Sequence, residues 1–232
     1  MPALRNPEAE SDETPRSRVA IILASASPRR ELLLREMGLA FRVIQPTGVA
    51  EATSGFRPDV LVMRNAQHKA RAVAGLHREA LVIGADTEVV LDGTVFGKPA
   101  DLPGAEQMLA RLAGRTHEVL TGVCLIHRPM ELELTFAERT RVTMRALTTA
   151  QIREYFTKVN PLDKSSEKLR YAENAQENAV FAKHPALGWA GAYAIQEHGD
   201  LIIERIEGSS SNVMGLPVER LQATFEKLGL SV

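Results

Sequence analysis

Apolar residues recur along this chain in two rhythms, short continuous runs and helical stripes, and the two alternate. The run VAIILA at 19–24 is apolar throughout and rich in β-branched residues, the pattern of a strand covered on both faces. A helix is predicted from Pro28: Ser27 stands at the cap, proline fits a position that needs no N–H, Leu32, Leu33 and Met37 form a stripe, and Gly38 ends it. A second helix is predicted over 59–74, capped by Asp59 and carrying Lys69 near its end, and ALVIG at 80–84 repeats the buried-strand pattern with Asp86 just beyond it. Residues 88–91 and 94–96 flank Asp92-Gly93, a favoured two-residue hairpin turn.

Further along, a helix is expected over 103–112, strands over 117–127, 133–140 and 141–146, and a helix over 149–159. Closing strands over 192–196 and 201–206 precede a last helix over 216–228, stopped by Gly229. Interleaved strands and helices with hairpins between them predict an α/β class with a mixed sheet.

Length and charge narrow the picture. At 232 residues the chain suits one domain, expected over 18–230, behind a polar, proline-bearing tail at 1–17 with too little apolar surface to order itself. A net charge of −1 gives no global attraction to nucleic acid or an anionic membrane, so any polyanion must be met by a local cluster of bases. No apolar run approaches the roughly 20 residues of a membrane span, and a cytoplasmic protein without a membrane or stable nucleic-acid partner is the expectation. The single cysteine, Cys124, lies in an apolar run and reads as inert core.

Candidate chemistry gathers where strands end. The segment Ala24-Ser25-Ala26-Ser27-Pro28-Arg29-Arg30 joins a buried strand to a helix start, where free N–H groups and the helix dipole favour an anion. Two serine hydroxyls add donors, and two arginines offer planar forks suited to phosphate; the alternative is a capped surface helix with solvated arginines. Asp86 and Glu51 are carboxylates that can hold a hard cation or draw a proton from water, against the alternatives of a turn aspartate and a solvated loop acid. Lys69, and Lys98 in the Gly97-Lys98-Pro99 corner, add positive charge, whereas 208–212 reads as a polar turn. The six histidines show no metal spacing and none stands in a nucleophile elbow.

Together ILASASPRRELL, VIGADTEVVLDG, FGKPAD, GRTHEVLTGV, AGAYAIQ and ERIEGSSSNVMGLP resemble the Maf family in order and spacing over nearly all of 19–228. The resemblance implies a two-lobed mixed-sheet fold with a deep central cleft, related to house-cleaning inosine triphosphatases, and hydrolysis of nucleoside triphosphates to monophosphate and pyrophosphate. By the same resemblance Asp86 is the proton acceptor and a metal-site residue, Glu51 the second acid, and Ser25, Ser27, Arg29, Arg30, Lys69 and Lys98 line the triphosphate. A divalent metal, Mg2+ or Mn2+, is the implied cofactor. Where the family usually has an Asp-Glu pair, this chain has Ala50-Glu51.

Arg29, Thr87 and Gln196 match the branch acting on dTTP and UTP rather than the 7-methyl-GTP branch, and a glutamine amide offers a donor and an acceptor to a pyrimidine edge. The family commonly dimerises, so a homodimer is among the partner states the resemblance admits. A nucleotide-binding regulator of cell division and septum formation, without turnover, is the alternative function. One departure is large: residues 165–189 are inserted after Pro161-Leu162-Asp163-Lys164, as a lid, an oligomer contact or a tolerated surface excursion.

Overall fold

The computed structural model describes residues 19–159, 190–193, 195–196 and 198–230. The tail and the insertion expected from the sequence lie outside these residues. In chain order the elements are β1 (Ile21–Ala24), α1 (Pro28–Glu36), β2 (Phe41–Val43), α2 (Pro58–Ala74), β3 (Leu81–Leu91), β4 (Thr94–Phe96), α3 (Leu102–Leu112), β5 (Thr116–His127), β6 (Leu132–Met144) and α4 (Thr149–Lys158). After the segment left undescribed come α5 (Gly199–Ile202), β7 (Ile203–Glu207), α6 (Ser210–Met214) and α7 (Val218–Lys227). Among the described residues, no helix is long and apolar enough to cross a membrane.

The strands form one seven-stranded mixed sheet in the order β2-β1-β3-β5-β6-β7, with β4 paired to β3. β1 runs parallel to β2 and β3, and every other pair is antiparallel. The α/β expectation is therefore met by parallel βα crossovers at one side and hairpins at the other. Apolar packing divides the same way. One cluster joins the second half of β3 to α3 and α4, around Val89, Leu109, Ile152 and Tyr155. Two others cover the faces of β1 and the first half of β3, around Leu23, Ile83 and Phe225 on one side and Val82, Ala66 and Ala70 on the other. These are two lobes threaded by common long strands.

Several elements differ from the sequence expectation, each for a tertiary reason. β3 does not stop before Asp86 but runs on to Leu91, because β5 pairs with it without a break from Val82 to Val90. The strands expected at 133–140 and 141–146 are one strand, held by β5 along its length. Of the strand expected at 192–196, none of the described residues is in a strand: residues 190–192 make a tight turn with left-handed backbone at Gly191 and Ala192. Residues 201–202 close a helical turn before β7 begins. The polar stretch after Gly208 is helical, capped by Ser209, and Gly215 separates it from α7. Arg57 rather than Asp59 occupies the cap position of α2, with Asp59 in its first turn.

Candidate active site

β3 carries the opening on which the site is built. On one edge it pairs with β1 from Leu81 to Gly84, and with β4 from Val89 to Leu91. Between them, residues 85–88 have no strand on that edge among the described residues, although β5 pairs them on the other. The chain leaves β1 at one rim of this gap as Ser25 to Ser27, and leaves β4 at the other as Gly97-Lys98. The site thus lies where the strand order splits, a place where open α/β sheets gather ligands.

Alternation then sorts the gap residues onto two faces. Asp86 and Glu88 face α2, and Thr87 faces the other layer. α2 approaches unusually closely because the sheet offers it glycines. A Cβ on Gly84 would stand 2.4 Å from the Ala66 carbonyl oxygen, and one on Gly122, directly across from Asp86, would stand 2.3 Å from the Val62 carbonyl. Asn65 and Lys69, one helical turn apart, therefore reach the strand.

Lys69 Nζ lies 2.7 Å from Asp86 Oδ1 and 2.8 Å from Glu51 Oε1, bridging two carboxylates. Asn65 Nδ2 donates to Asp86 Oδ2 at 2.9 Å and to the Ala52 carbonyl at 3.0 Å, while Asn65 Oδ1 accepts from the Ala52 N–H at 2.9 Å. One buried amide thus pins the irregular segment bearing Glu51 to the helix bearing Lys69. Asp86 is buried, whereas the Glu51 side chain is 51% exposed and so keeps oxygen surface open to solvent or a cation. Glu88 adds a third carboxyl, pushed up to about 8 by burial first and by the charges of Asp86 and Glu51 next; its Oε2 is buried without a hydrogen-bond partner.

On the other face, Arg30 is buried and largely committed. Its Nε donates to the Gly215 carbonyl at 2.8 Å, Nη1 to Ser25 Oγ at 3.2 Å and Nη2 to Thr87 Oγ1 at 2.9 Å. Burial lowers its pKa, and the carboxylates of Asp86 and Glu51 pull it back up. Ser25 Oγ also accepts from the Ser27 N–H, so the loop after β1 is folded around one hydroxyl. Ser27 stands at the cap position of α1 without capping it through its side chain, at a helix end whose dipole favours an anion. Arg29 is partly exposed beside it, and its charge reaches the Tyr193 phenol.

Lys98 is exposed as a residue, yet its pKa is lowered first by desolvation and then by Arg30 and Lys69, against the pull of Glu51 and Asp86. The charges it feels, those of Glu51, Arg30, Lys69 and Asp86, put it beside the same gap. Ser25, Ser27, Arg30, Glu51, Lys69, Asp86 and Lys98 thus surround one opening. Gln196 is exposed on a turn beyond Tyr193.

Two residues escaped the sequence reading. Asn65 was legible as a polar residue four before Lys69 within the buried stripe Leu61, Ala66, Ala70, Val73; Glu88 was legible as a charge in phase with Asp86. Among the described residues, no three His, Cys, Asp or Glu side chains form a ready metal cage. Cys124 is buried and free, its thiol pushed up to about 11 by burial, as suits inert core.

The family model described as "Maf-like protein" matches residues 20–167 and 166–228. The chain is 39% identical over 216 residues to the dTTP/UTP pyrophosphatase of Dictyoglomus turgidum, covering 93% of this chain and 99% of that one. It is 40% identical over 210 residues to the dTTP/UTP pyrophosphatase of Myxococcus xanthus, covering 90% and 93%. Among solved structures, the Staphylococcus aureus Ham1 protein matches with TM-score 0.38 and 17% identity over 54% of this chain and 71% of that one, a likeness too slight to argue from.

Proposed function

The chain belongs to the Maf-like protein family, and on that footing we propose that it is a nucleoside triphosphate pyrophosphatase hydrolysing dTTP and UTP to the monophosphate and pyrophosphate. The observation that carries this reading is a buried carboxylate, Asp86, held by Lys69 and Asn65 at a gap in the sheet whose rims bear Ser25, Ser27, Arg29, Arg30 and Lys98. Such an arrangement suits a polyanion brought up to a proton acceptor. A pure binder gains nothing from a carboxylate there, which repels phosphate unless a cation intervenes.

The triphosphate lies across the gap, with Ser27 and the first turn of α1 donating to its oxygens and Arg29, Arg30 and Lys98 neutralising charge. Lys69 keeps both carboxylates paired and, with three ammonium donors of which two are engaged, has one left for a phosphate oxygen. Asp86 orients a water toward the α-phosphorus and takes its proton. The new bond joins that oxygen to the α-phosphorus, the bond to the bridging oxygen breaks, and pyrophosphate leaves with the electron pair. Positioning and electrostatics supply most of the acceleration.

Glu51 and Asp86 fit a hard divalent cation, Mg2+ or Mn2+: both offer carboxylate oxygens, Glu51 is half open, and two protein ligands suit an ion that keeps waters and shares phosphate oxygens. When bound, the ion supplies charge neutralisation on the phosphates. Arg29, Thr87 and Gln196 mark the pyrimidine branch, with the Gln196 amide presented to the base. A cytoplasmic location and a homodimer complete the reading.

The test is a turnover screen of dTTP, UTP, CTP, GTP, 7-methyl-GTP and ITP with each metal, resolving pyrophosphate from orthophosphate. Pyrophosphate release led by dTTP and UTP is expected. Asp86→Asn should keep nucleotide binding and lower kcat at least about a hundredfold. Normal turnover in that variant would remove Asp86 from its role, and binding without turnover by the wild type would favour the regulatory alternative.

A further inference from the structure

Thr87 belongs to the pyrimidine-branch signature, yet its side chain points away from the Asp86 face, and its hydrogen bonds are already assigned by simple counting. Thr121 Oγ1, fully buried, donates to the Asn212 carbonyl at 3.0 Å, so its one hydrogen is spent. Thr87 Oγ1 lies 3.0 Å from Thr121 Oγ1 and, with that partner's hydrogen spent, donates to it, the Gly215 carbonyl at 3.5 Å being its longer alternative; either acceptor uses the one hydroxyl hydrogen within the protein. The same Thr87 oxygen accepts from Arg30 Nη2 at 2.9 Å. A relay with one polarity results: Arg30 to Thr87 to Thr121 to the Asn212 carbonyl. Its far end is anchored, since Asn212 Nδ2 donates to the Val119 carbonyl and to Thr140 Oγ1 across two strands. At its near end Gly215, with φ of +114°, brings its carbonyl under Arg30 Nε; a Cβ there would stand 3.4 Å from both Arg30 Nε and Thr87 Oγ1.

We infer that Thr87 is a positioning residue that holds the Arg30 fork toward the triphosphate, and that it does not read the base. In this relay the hydroxyl has no hydrogen left for the carbonyls of uracil or thymine. The inference rests on the triphosphate reading above, and it separates two jobs within the branch signature: Arg29 and Gln196 remain with the substrate, and Thr87 acts through its neighbour Arg30. Thr87→Val keeps the shape and removes the acceptor, leaving an arginine donor unpaired in a buried place. Thr87→Ser keeps the relay.

The experiment measures the Kd of inorganic tripolyphosphate by calorimetry, and kcat and KM for dTTP and GTP, in Thr87→Val, Thr87→Ser, Arg30→Lys and the Arg30→Lys/Thr87→Val double variant. Thr87→Val should weaken tripolyphosphate and raise both KM values by the same factor, about tenfold or more for one charged hydrogen bond. The dTTP-to-GTP ratio of kcat/KM should stay put, Thr87→Ser should restore binding, and Thr87→Val should add little once Arg30 is lysine. Thr121→Val, whose hydroxyl no ligand can touch, should weaken tripolyphosphate in the same direction and covers the case in which Thr87→Val fails to fold. A change in the dTTP-to-GTP ratio larger than the change in tripolyphosphate affinity would overturn the inference, as would an undiminished Thr87→Val effect in the Arg30→Lys background. Tripolyphosphate binding by a wild type that turns over no nucleotide would count against the pyrophosphatase reading alone.

Discussion

Gly122→Ala puts the close approach of α2 to the sheet under direct test. The added Cβ would stand 2.3 Å from the Val62 carbonyl carbon and oxygen and 2.6 Å from the Met63 nitrogen, where real contacts rarely fall below 3.4 Å. The obstacles are backbone atoms in mid-helix and cannot rotate aside, so the helix must lift by about 1 Å, an overpacking that costs about 3 kcal/mol. The same lift separates Asn65 and Lys69 from Asp86, whose bonds of 2.9 Å and 2.7 Å have little slack. A displacement of about 1 Å at a catalytic group lowers turnover about a hundredfold. Urea unfolding with a fixed m-value reads the stability, and initial rates on dTTP read the turnover. Gly75→Ala is the control, because its Cβ would meet the Arg71 and Ala72 carbonyl oxygens at an ordinary 3.5 Å and 3.9 Å. Wild-type stability together with wild-type kcat in Gly122→Ala would refute the account of how Asp86 is held.

Other consequences follow from the same contacts. Asn65→Ala removes the amide joining Asp86 to Ala52; a stability loss of about 2 kcal/mol in urea and a fall in kcat are expected, and an unchanged kcat would detach the Glu51 segment from the chemistry. His117 is buried against the Tyr193 hydroxyl at 2.6 Å, and burial lowers its pKa from 6.5 to about 4. The unfolded chain binds a proton that the folded one refuses, so stability is full above about pH 6.5 and should fall by about 3 kcal/mol as pH drops toward 4. His117→Gln should flatten that slope in unfolding titrations, and a slope retained in full would assign it elsewhere. Glu88 is shifted the opposite way, so the folded state holds its proton up to about 8, and stability from this group declines as pH rises from about 4.5 toward 8. In chelator, Glu88→Gln should be more stable than wild type at pH 9 and lose that advantage at pH 5; equal curves would show that the carboxyl ionises freely.

Much of this protein was legible in one dimension. Local rules suffice to identify α1, with its proline start and glycine stop, and the hairpin at Asp92-Gly93, because caps and turns are decided by neighbouring residues. The motif at 24–30, Asp86 and Lys98 were likewise visible as residue types at strand ends. The strand expected at 192–196 failed because two left-handed residues turn the chain so that Tyr193 can reach His117, a partner 76 positions away. Asp86 read as a loop residue for a related reason: pairing on one edge of β3 ends near it, while pairing on the other, from a strand more than thirty residues later, carries it through the gap.

Residue types, their periodicity and their order were enough to determine the α/β class, the family resemblance and the groups proposed to meet phosphate. Only the tertiary structure decided which groups share a face, that Lys69 bridges Glu51 and Asp86, that Asn65 ties them together, and that Arg30 spends three donors on Ser25, Thr87 and Gly215. The physical reason is range. Capping and periodicity act over a few residues, whereas the approach of α2 to Gly84 and Gly122, and with it the position of every donor to Asp86, depends on backbone surfaces brought together by strands far apart in the chain.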